Sequence, residues 1–248
     1  MKVLIFDTET TGLLPKWTYY TPITNYADHP ALLKRCPHIV QCSYVICDCD
    51  NLGNNSLGAV AANSKIIVAK NHIIKLPSGI RIPEEVSNIH HITDEISAEQ
   101  GILIEDVLRE FVYYLRKVDL IVCHNVDFDA KMLQIEMIRA AAAATAIEPD
   151  ALDLLQYFLN NSAAHYCTMK QSTSLCNLVC AGKHGNYVKY PKLSELYTTL
   201  FSENVIEDGL HDSFVDVLVT YRCFVQLRYF VDIGPIHKTP PETTACFM

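Results

Sequence analysis

The sequence is short of positive charge, of long apolar runs and of internal repetition. Lysine and arginine number 20 against 28 aspartates and glutamates, a net charge of −8. That balance excludes a globally basic protein that grips polyanions through its bulk field; a phosphate-bearing ligand would need a local site with cations to offset the repulsion. No apolar run approaches the length that spans a bilayer, and the most apolar late stretch, Val215 to Val231, is broken by Arg222 and Arg228. The apolar run before the first acid is only four residues long, Val3 to Phe6, too short for the core of a secretory leader. An intracellular protein, cytoplasmic or nuclear and not secreted, is therefore expected, with no membrane partner. No repeat occurs, and no low-complexity block beyond the alanine run at 140–144. A closed zinc pattern is also missing, because the spacing of His165, Cys167, Cys176, Cys180 and His184 fits no structural-zinc motif. The ten cysteines read instead as reduced thiols, mostly in apolar segments such as Leu120-Ile121-Val122-Cys123.

What is present is one sizeable core, since half of the 248 residues are apolar. Val3 to Phe6 is a short uninterrupted apolar run, the mark of a strand buried on both faces. Residues 14–38 carry four prolines with Trp17, Tyr19, Tyr20 and Tyr26 and read as an ordered loop. Alternation from Ile39 to Cys49, then a β-like stretch from Lys65 to Leu76, predicts an antiparallel meander with the first strand. Ile104 to Lys117 has helical spacing and feeds a second apolar strand, Leu120 to Cys123, an α/β crossover. Helices are predicted over Phe128 to Ala144, from about Asp150 to Asn160, over Lys192 to Phe201 and over Asp212 to Phe230, with a short strand from His165 to Met169. A domain over 1–233 and a loose tail over 234–248 follow.

Asp7 and Glu9 stand two apart at the end of the first strand, so both carboxylates leave the same face. Two like charges at the rim of a core raise at least one pKa, and a hard divalent cation relieves that conflict; the lesser alternative for a lone motif is that they cap the turn into Gly12. They are not alone. His124-Asn125-Val126-Asp127-Phe128-Asp129 follows the second apolar strand at a strand-to-helix junction, and His211-Asp212-Ser213-Phe214-Val215-Asp216 opens the last helix. On one ideal helix His211 and Asp216 would point about 140° apart, so they cooperate only if His211 lies on the approach, with Asp212 or Ser213 near the N-cap.

Asp7 to Leu13, the His-Asn-x-x-Phe-Asp of 124–129 and the His-x-x-x-x-Asp of 211–216, in this order, resemble the three motifs of the DEDDh 3′-to-5′ exonucleases. The resemblance extends to Pro37 to Gln41, to Ile89-His90-His91-Ile92-Thr93, to Cys167-Thr168-Met169 and to Pro191 to Tyr197, and covers residues 1 to 231. It implies an α/β RNase H-like fold, a mixed β-sheet flanked by α-helices. It implies further that Asp7, Glu9, Asp129 and Asp216 hold two divalent cations, Mg²⁺ or Mn²⁺, with His211 as general base. Thr10, Thr11, Gly12 and Leu13 would approach the 3′-terminal nucleotide, and His90, Asn125 and Phe128 would contact substrate. The implied activity is removal of nucleoside 5′-monophosphates from the single-stranded or frayed 3′ end of DNA, favoured over RNA. Alternatives are a polymerase-associated proofreading subunit and a catalytically silent nucleic-acid-binding module.

Asp127 precedes the matching Phe128-Asp129 pair and is assigned a solvated or capping role. Where the family has glycine after the first histidine of the 89–93 segment, this chain has His91, which leaves the shape of that turn open. Lys183, His184, Tyr187, Lys189, Tyr190 and Lys192 interleave basic and aromatic residues, either as a strand-binding groove or as a solvated loop before a helix. Trp17, Tyr19 and Tyr20 would stack on bases or anchor their own loop.

Overall fold

The computed structural model describes residues 1–19, 30–50, 52, 65–143, 150–183, 185–202 and 211–234. A five-stranded sheet runs β3-β2-β1-β4-β5, with β1 Lys2–Thr10, β2 Ile39–Asp48, β3 Lys65–Ile73, β4 Leu120–Cys123 and β5 His165–Cys167. The first three strands form the antiparallel meander, and β4 and β5 add in parallel on the other side of β1. The RNase H-like α/β sheet expected from the sequence is thus present, with the apolar Val3–Phe6 run at its centre.

That run is apolar on both faces because both faces are covered. Leu4 and Phe6 point into a core shared with Leu108 and Phe111 of α4 (Ile104–Leu115) and Met132 and Leu133 of α5 (Val126–Ala142). Val3 and Ile5 point the other way, onto Phe214, Val217, Leu218 and Tyr221 of α9 (Ser213–Tyr229). Each such side chain contributes about 1.5–3 kcal/mol when fully buried, so β1 is held rigidly between helical layers. The outer face of α9 in turn meets Leu196 and Tyr197 of α8 (Leu193–Phe201). The remaining helices are a short α1 (Pro30–Leu33), α2 (Glu84–His90), α3 (Asp94–Gln100), α6 (Ala151–Asn160) and α7 (Thr168–Cys176).

Three segments differ from the sequence expectation. The strand over His165 to Met169 stops at Cys167, because its ladder partner β4 ends at Cys123; Thr168 and Met169 instead open α7. Residues 84–100 carry two short helices, the second capped by Thr93, whose hydroxyl accepts from the Ile96 N–H. The region before α8 is a two-stranded hairpin, β6 Val179–Gly182 with β7 Gly185–Val188. Of the 14–38 loop, Lys16–Tyr19 forms one 3₁₀ turn and Trp17 packs on the core, so it anchors its own segment. Tyr20, Tyr26, His184 and the tail from 235 lie outside the described residues. Among the described residues no helix is long and apolar enough to cross a membrane.

Candidate active site

The parallel strands β1 and β4 end at the same edge of the sheet, but not at the same height. β4 pairs only with Val3 to Ile5, so β1 runs on past its neighbour and leaves backbone donors without a ladder partner. Asp129, in the first turn of α5, occupies that gap: its Oδ1 accepts from the Thr8 N–H at 3.0 Å and the Thr8 hydroxyl at 2.7 Å, and its Oδ2 accepts from the Cys123 thiol at 3.1 Å. The turn from strand to helix is made by Asn125, left-handed at φ 80°, a conformation asparagine tolerates better than most residues. Helix α5 therefore starts at Val126, two residues before the expected point.

On the other side of β1, α9 is pinned to β2 through polar residues. Asp212 is its N-cap and accepts from the Phe214 N–H and from Gln41 Nε2, while Gln41 Oε1 accepts from the Ser213 N–H. The Ser43 and Ser213 hydroxyls lie 2.6 Å apart. Ser43 and Gln41 are the cross-strand partners of Asp7 and Glu9, so this clasp sets the first turn of α9, and with it Asp216, against those two acids. His211 lies on the approach to the helix at φ 71°, as the 140° argument required.

Asp7, Glu9, Asp129, His211 and Asp216, with Cys123 beside them, converge in two groups of three. One ligating atom each from Asp7, Cys123 and Asp129 lies within 4.8 Å of the others, and the same holds for Glu9, His211 and Asp216. Burial pushes the Asp7 carboxyl well up from its ordinary value, with Asp129, Asp216 and Glu9 adding repulsion. Burial likewise pushes Glu9 up to about 9, again with help from Asp216 and Asp129. Asp216 rises to about 7 and Asp129 to about 6, burial leading in both; the His211 N–H opposes the first, and the Cys123 and Thr8 hydrogen bonds oppose the second. The His211 ring is held below its ordinary value, first by loss of solvent and then by Lys192 and His91.

Thr8, Cys123, Gln41 and Ser43 are the residues that sequence reasoning gave no role. The signal was there for Gln41 and Ser43, which are polar positions in a strand buried along almost its whole length. Cys123 is in the core, as expected of a small hydrophobe, but its thiol also serves an acid. His124 is neutral, driven down to about 4 by burial; its Nε2 donates to the Pro191 carbonyl at 3.1 Å and its Nδ1 accepts from the Thr168 hydroxyl at 3.0 Å.

The remaining positions fall around this centre. The Thr10 hydroxyl donates to the Gly12 carbonyl, and Thr11 exchanges hydrogen bonds with His38 through both its N–H and its hydroxyl. This turn presents Leu13 with 88% of its surface exposed. His38 is held in turn by Arg139, which donates to the Leu33, Cys36 and Pro37 carbonyls and to buried Glu136. His90 is buried, with Nδ1 accepting from the Ile92 N–H, and Phe128 packs partly on the core. His91 takes the left-handed conformation, φ 61°, that closes α2; the turn therefore keeps a shape suited to glycine. Asp127 points away from the acids and pairs with Lys170 at 2.7 Å. Of the cysteine and histidine positions weighed for zinc, none that is described joins a metal-holding group.

Comparison with known proteins gives a family and a fold. A family model for exonucleases, RNase_T, matches residues 55–224, a span that includes the second and third acidic motifs. No curated protein matches the chain in sequence. Among solved structures, E. coli exonuclease I in complex with a dA16 oligonucleotide aligns over 92% of this chain and 41% of its own, at a TM-score of 0.52 and 15% identity. Exonuclease I from Methylocaldum szegediense aligns over 92% and 40%, at 0.50 and 15%. The zinc-bound form of the E. coli exonuclease I complex with single-stranded DNA aligns over 92% and 41%, at 0.53 and 14%. At these identities the likeness is one of fold, and the chain spans about two fifths of the length of those enzymes. With the family model covering well over half of its residues, the chain belongs to the RNase_T exonuclease family.

Proposed function

We infer that this chain is a divalent-cation-dependent 3′-to-5′ exonuclease that removes nucleoside 5′-monophosphates, with single-stranded or frayed DNA ends favoured. The observation that carries this reading is the meeting of Asp7, Glu9, Asp129 and Asp216 with His211 at one sheet edge, where Asp216 Oδ1 is buried without a hydrogen-bond partner among the described residues. A buried orphan oxygen among like charges costs stability unless a cation satisfies it. An oxygen-rich donor set fits Mg²⁺ or Mn²⁺. The neighbours with bound oligonucleotide, one of them also with zinc, lend support to a DNA strand and to a metal.

Asp7, Glu9, Asp129 and Asp216 would hold two such ions, which when bound neutralise phosphate charge and polarise the scissile phosphodiester. His211, neutral near pH 7 with its pKa lowered, would accept the proton of the attacking water. Its place on the approach to α9 lets the ring face the acids while Asp216 stays fixed on the helix. Leu13 would wedge against the terminal base from the turn made by Thr10, Thr11 and Gly12, and Phe128, next to Asp129, would contact a base. Asn125 would shape the strand-to-helix turn beneath the substrate, and buried His90 would back it from α2.

The test offers labelled single-stranded DNA, duplex DNA and RNA to the full chain in Mg²⁺, in Mn²⁺ and in chelator. Stepwise shortening from the 3′ end, dependent on the cation and fastest on single-stranded DNA, is expected. Binding without shortening under any cation would mark a silent binding module and overturn the reading.

A further inference from the structure

Charge is segregated along this chain. From Leu154 to Ser194 there is no aspartate or glutamate, yet Lys170, Lys183, Lys189 and Lys192 all fall there. In a protein of net charge −8 this stretch is positive, as are residues 51–83 with Lys65, Lys70, Lys75 and Arg81 and no acid; of the two it is the one that contains the β6–β7 hairpin.

The hairpin is built as a projecting arm. All described residues of β7 are exposed, and β6 is exposed or half-buried. Its base is closed by the Lys189 N–H donating to the Leu178 carbonyl, and by Lys189 pairing with Glu195 at 2.5 Å. Its tip, between Gly182 and Gly185, carries Lys183. Tyr187 is 55% exposed and Tyr190 58%. The Tyr187 ring lies against Gly182, where an added Cβ would come within 3.1 Å of the ring; glycine lets the ring lie close over the neighbouring strand while more than half of the side chain stays open. A soluble protein seldom leaves rings and apolar side chains bare on one segment without a ligand for them.

The arm also leads to the acids. After Tyr190 the chain passes Pro191, whose carbonyl accepts from His124 at 3.1 Å, and His124 directly precedes the Asn125 cap of α5. Lys192 then forms the N-cap of α8. Bare aromatic faces interleaved with lysines, running up to a phosphate-cleaving centre, match the needs of an unpaired polynucleotide: cations for phosphates and rings for bases.

We propose that the β6–β7 arm, through Lys183, Tyr187 and Tyr190, binds the polynucleotide strand that extends away from the terminal residue in the active site. This rests on the exonuclease reading, and deepens it by separating the residues that hold the strand from those that cut it. The arm supplies grip on long substrates and contributes nothing to the chemical step.

The test uses the full chain and the variants Tyr187→Ser/Tyr190→Ser and Lys183→Gln. Binding of a fluorescent single-stranded 20-mer is measured in chelator across a salt series, and hydrolysis of the 20-mer is compared with that of the p-nitrophenyl ester of thymidine 5′-monophosphate, which occupies the cutting site alone. The tyrosine pair should weaken 20-mer binding and raise its KM by about tenfold or more. Lys183→Gln should lower the slope of log affinity against log salt by about 0.7, the share of one phosphate contact on a single strand. Both should leave turnover of the small ester and the thermal midpoint unchanged. Unaltered 20-mer binding and KM in both variants would overturn the proposal, as would equal loss on the ester and the 20-mer, or loss of self-association in place of oligonucleotide binding. Because Lys183→Gln alters one solvent-facing side chain at the tip, it reports even if the tyrosine pair fails to fold. If the parent bound the 20-mer through the arm but cut neither substrate, the exonuclease reading would fail while the arm stood.

Discussion

Raising the pH should destabilise the cation-free protein, and Glu9→Gln should remove much of that loss. In the folded chain Glu9 titrates at about 9 and Asp216 at about 7, against about 4 for such groups in an unfolded chain. A folded-state pKa above the unfolded one means that the folded state keeps protons the unfolded state has released. The resulting stability is complete below the unfolded value and is lost as pH rises through the folded one. Histidines work the other way at lower pH: His90, His124 and His211 are all depressed, so their contribution grows until the unfolded histidine value, about 6.5, is passed. Asp94, held low by the Ile82 N–H, and Asp232, held low by Arg222, act below about pH 4. Buried thiols such as Cys42, raised by burial, enter only near the unfolded thiol value of about 8.5. From about pH 6.5 to about pH 8, then, the site carboxylates dominate. Asp7, also pushed well up by burial, Glu9 and in part Asp216 hold about two to three extra protons, which gives a slope of about −2.7 to −4.1 kcal/mol per pH unit, a loss of about 4–6 kcal/mol across the window. Glu9→Gln removes one titrating group and should flatten the slope by about 1.4 kcal/mol per pH unit. Mg²⁺ should restore stability more at the upper end, since it favours the ionised acids. Urea denaturation followed by circular dichroism, in chelator and in Mg²⁺, reads all of this. Identical slopes for parent and Glu9→Gln in chelator, or parental stability that rises through the window, would refute the reasoning.

Two further outcomes follow from single residues. His211→Ala removes a proton acceptor but no carboxylate, so cation and oligonucleotide binding should persist while turnover falls by about a hundredfold or more; an ascending pH limb identical in the variant and the parent would remove His211 from the proton transfer. His91 closes α2 in the left-handed region, which costs a residue with a Cβ about 1 kcal/mol, so His91→Gly should raise the melting temperature by about 2 °C, and a fall of that size would contradict the conformational argument.

The sheet and its principal helices were legible because their signals are local. Val3 to Phe6 is apolar at every position, as a strand covered on both faces must be, and the structure buries all four. The acids were legible because the motif spacing fixes them relative to strand ends and helix starts. What stayed hidden depends on pairing between distant segments. The end of β5 is set by where β4 stops, and nothing between His165 and Met169 encodes that. Thr8 and Cys123 look like ordinary strand residues until Asp129 arrives beside them from α5. Likewise, the clasp of Gln41 and Ser43 on the start of α9 joins residues some 170 positions apart. The hairpin escaped because its strands are four residues each and bury no face, so hydrophobic alternation, the usual mark of a strand, has no reason to appear.

The most direct test of the cutting site sets two aspartates of one helix turn against each other. Asp129 is buried, faces Asp7 and accepts from Thr8 and Cys123, whereas Asp127 is exposed and pairs with Lys170. With a 5′-labelled single-stranded oligonucleotide in Mg²⁺, and the released product identified by mass, the parent and Asp127→Asn should both liberate nucleoside 5′-monophosphates one at a time from the 3′ end, at rates within about threefold of each other, the difference expected when only a surface ion pair is lost. Asp129→Asn, folded by circular dichroism, should release none. Parental activity in Asp129→Asn, or equal inactivation of both variants, would contradict the assignment of the site.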